Sequence, residues 1–185
     1  MNFDARAPET SQFDSPLRTI FLDFEASSLD PEGWPIEIGL SWIEGAEVRT
    51  EARLIAPHED WPMSAWSEKS AAVHHISLDL LRAEGAPAAE VAGWYLQMTE
   101  GASVVSDAPE FEQRWLRRLL ETLPGVDIQG QLARIEDMHE VVGRMLDDAE
   151  LDRFYERLER SKAPHRAGPD SARLARALLK VSQGR

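Results

Sequence analysis

The chain has 185 residues, 43% of them hydrophobic, and a formal net charge of −13 at pH 7. This length predicts one domain over residues 17–185, preceded by a polar, flexible leader over residues 1–16. The absence of cysteine excludes disulfides and thiolate zinc sites and favours a reducing, cytoplasmic location. No apolar run approaches the length that crosses a bilayer, so we expect no membrane partner.

The negative charge is unevenly distributed. From position 162 onward, one acid, Asp170, faces the cationic residues Lys162, Arg166, Arg173, Arg176, Lys180 and Arg185. A second basic group consists of Arg114, Arg117 and Arg118. Phosphate neutralisation dominates affinity for nucleic acids, so local cationic patches on an acidic chain suit a short single strand better than a long duplex. The alternative is that these residues form solvated helix faces.

The first part of the chain predicts three strands with short connections. An apolar run carrying two acids spans residues 18–25, and further strands are predicted at 35–43 and 47–55 around a turn at 44–46. We expect these three strands to be antiparallel. Residues 57–77 show no clear period and predict an irregular segment with one helical turn.

The rest of the chain predicts helices and two short strands. Helices are predicted over residues 87–98, 109–123, 132–146, 149–160 and 169–181, and strands over residues 102–105 and 126–129. This order predicts an α/β fold, in which a mixed β-sheet of about five strands is flanked by helices.

Asp23 and Glu25 interrupt the apolar first strand. Side chains alternate along a strand, so these two carboxylates project from the same face. They repel each other when both are ionised unless a cation lies between them. Hard oxygen ligands of this kind suit Mg²⁺ or Mn²⁺. The alternative is a pair of surface acids on an edge strand.

Another group of acids lies where the strand at 102–105 runs into a helix. Pro109 suits the first helical turn, and Asp107 is predicted to cap the helix, with Glu110 completing a capping box. Glu112 flanks the helix face that should be buried, so it is a candidate ligand. Its alternative is a boundary residue with its carboxylate in water.

The last candidates are His165 and Asp170. Pro169 opens the final helix, so Asp170 falls in the first turn, where the helix dipole favours a carboxylate. His165 is predicted on the preceding loop, from which both side chains can reach one pocket. Taken separately, they would be an ordinary first-turn acid and a surface histidine.

Together these motifs resemble those of the DEDDh 3′–5′ exonucleases, which include ribonuclease T, oligoribonuclease and polymerase proofreading domains. The resembling segments are residues 20–25, 35–39, 106–116 and 165–170, and residues 73–76 are similar to a Val-His-Gly-Ile stretch common in that family. The resemblance implies a ribonuclease H-like fold and hydrolase activity. It places Asp23, Glu25 and Asp170 on the family's metal-binding carboxylates and His165 on its general base. Two Mg²⁺ or Mn²⁺ ions are the implied cofactors.

The sequence departs from the family pattern at two places. Glu112 occupies a position where the family has aspartate, and Asp107 one where it has asparagine, so either residue could serve as the remaining metal ligand and contribute to catalysis. His75 replaces the glycine of the Val-His-Gly-Ile stretch.

The implied function is 3′–5′ exonuclease hydrolysis of phosphodiester bonds, with a single-stranded or frayed 3′ end of RNA or DNA as partner. Trp34 is a candidate for stacking on a base, as is Trp61 or Trp66, although tryptophans also pack in cores. His74 is a second candidate substrate contact. The family often dimerises, so a homodimer is one expected assembly.

Two alternatives stay open. The first is a catalytically silent relative that acts as a binding or scaffold protein, which the acidic net charge and Glu112 favour. The second is a phosphodiesterase that keeps the fold and metals but acts on a small nucleotide.

Overall fold

The structure is a computed structural model in which residues 18–184 are described, so the predicted leader over residues 1–16 lies outside the described residues. Its sheet has five strands, which are β1 (Arg18–Ala26), β2 (Pro35–Glu44), β3 (Glu47–Leu54), β4 (Ala102–Ser106) and β5 (Ile135–Asp137). The strand order across the sheet is β3-β2-β1-β4-β5. The first three strands pair antiparallel, whereas β4 is parallel to both β1 and β5. The predicted mixed sheet is confirmed.

Helices flank this sheet. In the described part of the chain they are α1 (Glu68–His74), α2 (Leu78–Glu84), α3 (Ala88–Met98), α4 (Pro109–Leu120), α5 (Ile128–Leu132), α6 (Met138–Met145), α7 (Asp148–Arg160) and α8 (Ala167–Ser182), with a 3₁₀ turn at Met63–Ala65. The resulting α/β arrangement is consistent with the expected ribonuclease H-like fold. No helix among residues 18–184 has both the length and the apolar character needed to span a membrane.

The predicted fifth strand at residues 126–129 is wrong. Asp127 caps α5 by accepting a hydrogen bond from the Gly130 N–H, so this segment begins a helix. The true fifth strand lies inside the predicted helix at 132–146, where Ile135 pairs with Val104 of β4. The apolar residues there recur every three or four positions, which mimics a helix. Asp137 then ends β5 and caps α6.

The segment predicted to be irregular is also more regular than expected. Ser67 caps α1 through a hydrogen bond from the Ser70 N–H, and Ser77 caps α2 in the same way through Leu80. The α2 helix, which begins directly after this segment, was not predicted at all. Both helices have seven residues, too short for a helical period to stand out in the sequence.

Two hydrophobic clusters cover the opposite faces of the sheet. Ile20 and Leu22 belong to one cluster, and Phe21, which lies between them on β1, belongs to the other. Phe21 shares its cluster with Leu174 and Leu178 of α8. By alternation, Asp23 and Glu25 lie on the Phe21 face, so they emerge where α8 begins.

Candidate active site

Three carboxylates converge at the end of β1. Asp23 and Glu25 lie on the strand, Asp170 lies in the first turn of α8, and one carboxylate oxygen of each is within 4.8 Å of the others. The expectation that these three residues lie together is therefore matched by the structure. Carboxylates this close can share a divalent cation.

A glycine on β2 permits this convergence. Gly39 faces Asp23 across the antiparallel pair, and α8 begins directly over it. A Cβ at Gly39 would collide with the Ala167 carbonyl and would lie 2.5 Å from the Gly168 nitrogen. Glycine is required for this close backbone approach. The approach places Asp170, in the first turn of α8, beside Asp23 and Glu25.

A buried ion pair fixes the start of α8 beside that glycine. The Glu37 carboxylate, on β2, is 4% exposed and accepts hydrogen bonds from Arg166 Nη2 at 2.6 Å and Nε at 3.0 Å. It also accepts one from the Ala167 N–H at 2.8 Å. This bidentate contact raises the pKa of Arg166. Glu37 is not among the site residues predicted from the sequence, although an acid within the apolar run of residues 35–39 is a usable signal.

His165 lies at the mouth of the same pocket. It is exposed, has a left-handed backbone with φ of 53°, and lines a pocket of about 330 Å³ together with the three converging acids. The Arg166 N–H that follows donates to Asp170 Oδ2 at 3.1 Å. The loop placement expected for His165 is therefore observed, and it leaves the imidazole accessible to solvent.

Glu112 of α4 and Asp107, on the turn between β4 and α4, also line the pocket. Glu112 is 2% exposed, and its Oε2 has no hydrogen-bond partner, so the boundary role suggested as its alternative is wrong. Asp107 is exposed and lines the pocket but does not cap α4, whose N-cap is Ala108 without a side-chain hydrogen bond. Instead, Ser106 Oγ accepts from the Ala108 N–H at 3.0 Å. The predicted capping role of Asp107 is therefore wrong, and its carboxylate is free of the helix N-terminus.

Positive charge compensates the acids in this pocket only in part, since Arg173 Nε lies 3.8 Å from Asp170 Oδ1 and Arg166 lowers the pKa of Glu25 without offsetting the other effects. Burial and then Glu25 raise the pKa of Asp23 well above its ordinary value, and burial and then Asp23 do the same for Glu112. Burial and the charge of Asp170 raise the pKa of Glu25 to about 7. Burial also raises the pKa of Asp170, against a lowering by the Arg166 N–H hydrogen bond. Carboxylates in this condition favour a bound cation.

Two of the residues expected to contact substrate, Trp34 and His74, are buried. Trp34 is 0% exposed, stacks on Trp61 with ring centroids 5.5 Å apart, and donates to the Pro62 carbonyl. His74 is 2% exposed, and burial lowers its pKa to about 4. Both expected contacts are therefore wrong for this structure. Trp61 is 5% exposed and cannot stack on a base either.

The pocket instead has two exposed apolar residues that were not predicted as site residues from the sequence. Leu29, on the loop after β1, is 68% exposed, and Phe111 of α4 is 39% exposed. Both line the pocket beside the acids. Arg114 holds this loop against α4 by donating to the Leu29 carbonyl at 2.9 Å. Their exposure depends on neighbours that are distant in sequence, so only the structure reveals it.

No protein-family model matches this sequence, and no curated protein matches it. Solved structures of exonuclease I are similar in fold. For Escherichia coli exonuclease I in complex with a dA16 oligonucleotide, the TM-score is 0.63 at 16% identity, over 90% of this chain and 41% of that chain. The fold is ribonuclease H-like. For the zinc-bound form of an E. coli exonuclease I–ssDNA complex, the TM-score is 0.60 at 14% identity, over 92% of this chain and 42% of that chain. The chain thus spans about two fifths of these proteins' length.

Proposed function

We propose that this protein is a metal-dependent exonuclease that removes nucleotides from the 3′ end of single-stranded nucleic acid. The observation that carries the proposal is the cluster of Asp23, Glu25 and Asp170, whose carboxylate oxygens lie within 4.8 Å of one another. Acids that only stabilise a fold are paired with cations or exposed to water, because burying uncompensated charge is unfavourable. Among the described residues, Asp170 has such a partner in Arg173, at 3.8 Å, whereas Asp23 and Glu25 have no ion pair. A site of this kind is expected to hold divalent metal.

The donor set fits two Mg²⁺ or Mn²⁺ ions, which prefer carboxylate oxygens. Asp23, Glu25 and Asp170 would hold them, with Glu112 or Asp107 as a further ligand. Glu112 Oε2 is buried without a hydrogen-bond partner, and Asp170 Oδ1 has no hydrogen bond but only Arg173 Nε at 3.8 Å, so both oxygens can accept a metal ion. When bound, divalent cations supply the positive charge that acidifies water and offsets charge developing on the phosphate.

His165 is the proposed general base. Its exposed position at the mouth of the pocket lets the imidazole take a proton from the attacking water and pass it to solvent. The water oxygen bonds to phosphorus, the bond from phosphorus to the 3′ oxygen of the preceding nucleotide breaks, and that oxygen gains a proton. The products are a nucleoside monophosphate and a shortened strand.

The pocket walls support a terminal nucleotide as the substrate. Leu29 and Phe111 offer apolar surface for a base beside the carboxylates that would face its phosphate. The E. coli exonuclease I structures of similar fold include complexes with single-stranded DNA, which supports a single strand as the partner. The expected homodimer and cytoplasmic location stay predictions.

The test is a shortening assay on single-stranded DNA and RNA labelled at the 5′ end, with Mn²⁺ or with EDTA. Stepwise shortening from the 3′ end, abolished by EDTA and by Asp23→Asn, supports the proposal. A matched control is Glu51→Gln, because Glu51 is an acid on β3 that pairs with Arg53 outside the pocket. Undiminished activity of purified Asp23→Asn protein would refute the metal site.

The same assay separates the competing functions. The presence of Glu112 where the resembling family has aspartate favours the two alternatives, a phosphodiesterase that acts on a small nucleotide and a catalytically silent scaffold. Saturable Mn²⁺ binding without shortening, but with cleavage of a small nucleotide diester, would favour the phosphodiesterase. The absence of both metal binding and cleavage would favour the scaffold protein.

A further inference from the structure

A basic groove lies between α7 and α8, next to the acidic pocket. Its volume is about 400 Å³. The cationic residues that line it are Arg157, Arg160, Lys162, Arg173, Arg176 and Lys180. Among the described residues that line it, none is acidic. On a chain with a net charge of −13, such a concentration of positive charge is a local feature that needs a separate explanation.

Most of these cations are not neutralised within the described part of the chain. Arg160 pairs with Glu156 at 3.1 Å, and Arg173 lies 3.8 Å from Asp170. The other four side chains have no ion pair or hydrogen bond to any residue between 18 and 184, and all four are exposed. Like charges placed together repel one another, so the groove is stabilised when an anion enters it.

The groove and the acidic pocket share a wall. Arg173 lines both cavities, with its Nε directed at Asp170 and its Nη1 donating to the Leu158 carbonyl at 3.1 Å. The linker between α7 and α8 is shared as well, since Lys162 and Pro164 line the groove while His165 lines the pocket. A polymer whose end occupies the pocket can therefore continue into the groove.

The spacing of the cations on α8 suits a polyanion. Arg173, Arg176 and Lys180 follow one another at intervals of three and four residues, so they form one stripe along the helix. At 1.5 Å per residue this stripe is about 10 Å long. Because the axial rise of a stacked strand is about 3.4 Å per nucleotide, a stripe of this length runs alongside roughly three nucleotides.

We propose that this groove binds the phosphate backbone of a single strand whose 3′ end lies in the acidic pocket. The choice of occupant rests on the proposed function, because an oligonucleotide engages both cavities at once. An acidic peptide has no group that suits the neighbouring carboxylates. An anionic membrane is repelled by the negative charge of the remaining surface.

The test compares two double variants that each remove two exposed positive charges. Arg176→Gln with Lys180→Gln alters the groove, whereas Lys69→Gln with Arg153→Gln alters α1 and the part of α7 outside the groove. Fluorescence anisotropy in Ca²⁺ measures affinity for a long single strand and for a dinucleotide. Removing two phosphate contacts should flatten the salt dependence of long-strand affinity by about 1.4 in log–log slope. The control pair should match the wild type.

The outcomes separate this inference from the proposed function. A reduced ratio of long-strand to dinucleotide affinity in the groove variant, with unchanged thermal unfolding, supports the groove. If the groove variant gives this result but the wild-type protein hydrolyses no substrate, the groove would still be a nucleic-acid-binding surface, and the proposed exonuclease activity would be rejected. Equal affinities and slopes in all three proteins would overturn the inference. So would binding of polyglutamate or phosphatidylserine vesicles without affinity for the strand.

Discussion

Glu25 and Glu37 face each other across the β1–β2 pair, yet they have different surroundings. Glu37 is enclosed by the Arg166 guanidinium and the Ala167 N–H, so the protein supplies its counter-charge. Glu25 faces Asp170 and Asp23, and its pKa is raised to about 7. Two neighbouring acids of identical chemistry therefore have different roles. One joins α8 to the sheet, and the other is a proposed ligand of a metal ion.

The two environments also depend on each other. The ion pair between Glu37 and Arg166 fixes Arg166, which directly follows His165 and whose N–H donates to Asp170 Oδ2, so it positions both His165 and Asp170. We therefore regard Glu37 and Arg166 as positioning residues and the three clustered acids as the proposed metal ligands.

The largest expected effect is on turnover. Replacing His165 with alanine should lower the rate of 3′ shortening by roughly 10²–10⁴-fold, which is the usual contribution of a general base. Mn²⁺ affinity should stay near that of the wild type, since the carboxylates are retained. His75→Ala is a matched control, because His75 is also exposed and left-handed, with φ of 58°, but lies outside the acidic pocket. Loss of Mn²⁺ binding in His165→Ala protein would contradict the assignment.

The second effect is on stability. Arg166→Ala leaves the Glu37 charge buried without its partner and should lower the free energy of unfolding by about 3 kcal/mol. This is the lower end of the range for buried pairs, because the Arg166 side chain is 40% exposed. Adding Glu37→Gln should restore part of the loss by removing the unpaired charge. Urea unfolding of the single and double variants measures both quantities. Equal stability of wild-type and Arg166→Ala protein would show that the pair does not fix α8.

The third effect is a pH dependence of the metal-free protein. The pKa of Glu25 is about 7 in the folded state against an ordinary 4.5, so the folded form binds more protons between these values. Its contribution to stability therefore falls as pH rises from 4.5 to 7. Glu25→Gln removes this loss and should stabilise the metal-free protein at pH 8 by on the order of 1 kcal/mol, after discounting for partial exposure.

Thermal unfolding in EDTA across that pH range tests this prediction. Glu37→Gln is the opposite control, because it removes the partner of Arg166 and should destabilise the protein throughout. A Glu25→Gln variant that is less stable than the wild type at pH 8 would contradict the account.

The sequence predicted the parts of the site that follow from local rules. Strand alternation placed Asp23 and Glu25 on one face, and Pro169 placed Asp170 in a first helical turn. The sheet was predicted except for β5, where apolar spacing imitates a helix. Trp34 was misassigned because a tryptophan in a loop gives no sign that Trp61 covers it. The role of Glu37 depends on Arg166, which is 129 residues away in the chain, so its position in an apolar strand marks it as unusual but does not identify its partner.

The most direct test of the central claim is calorimetric titration of the metal-free protein with Mn²⁺ at pH 7, in buffers of different ionisation enthalpy. Binding of Mn²⁺ should be saturable. Because the pKa of Glu25 is about 7, binding should also release protons, so the measured enthalpy should change with the buffer. The Asp23→Asn substitution should abolish Mn²⁺ binding. Binding that is absent, or that Asp23→Asn leaves unchanged, would contradict the account.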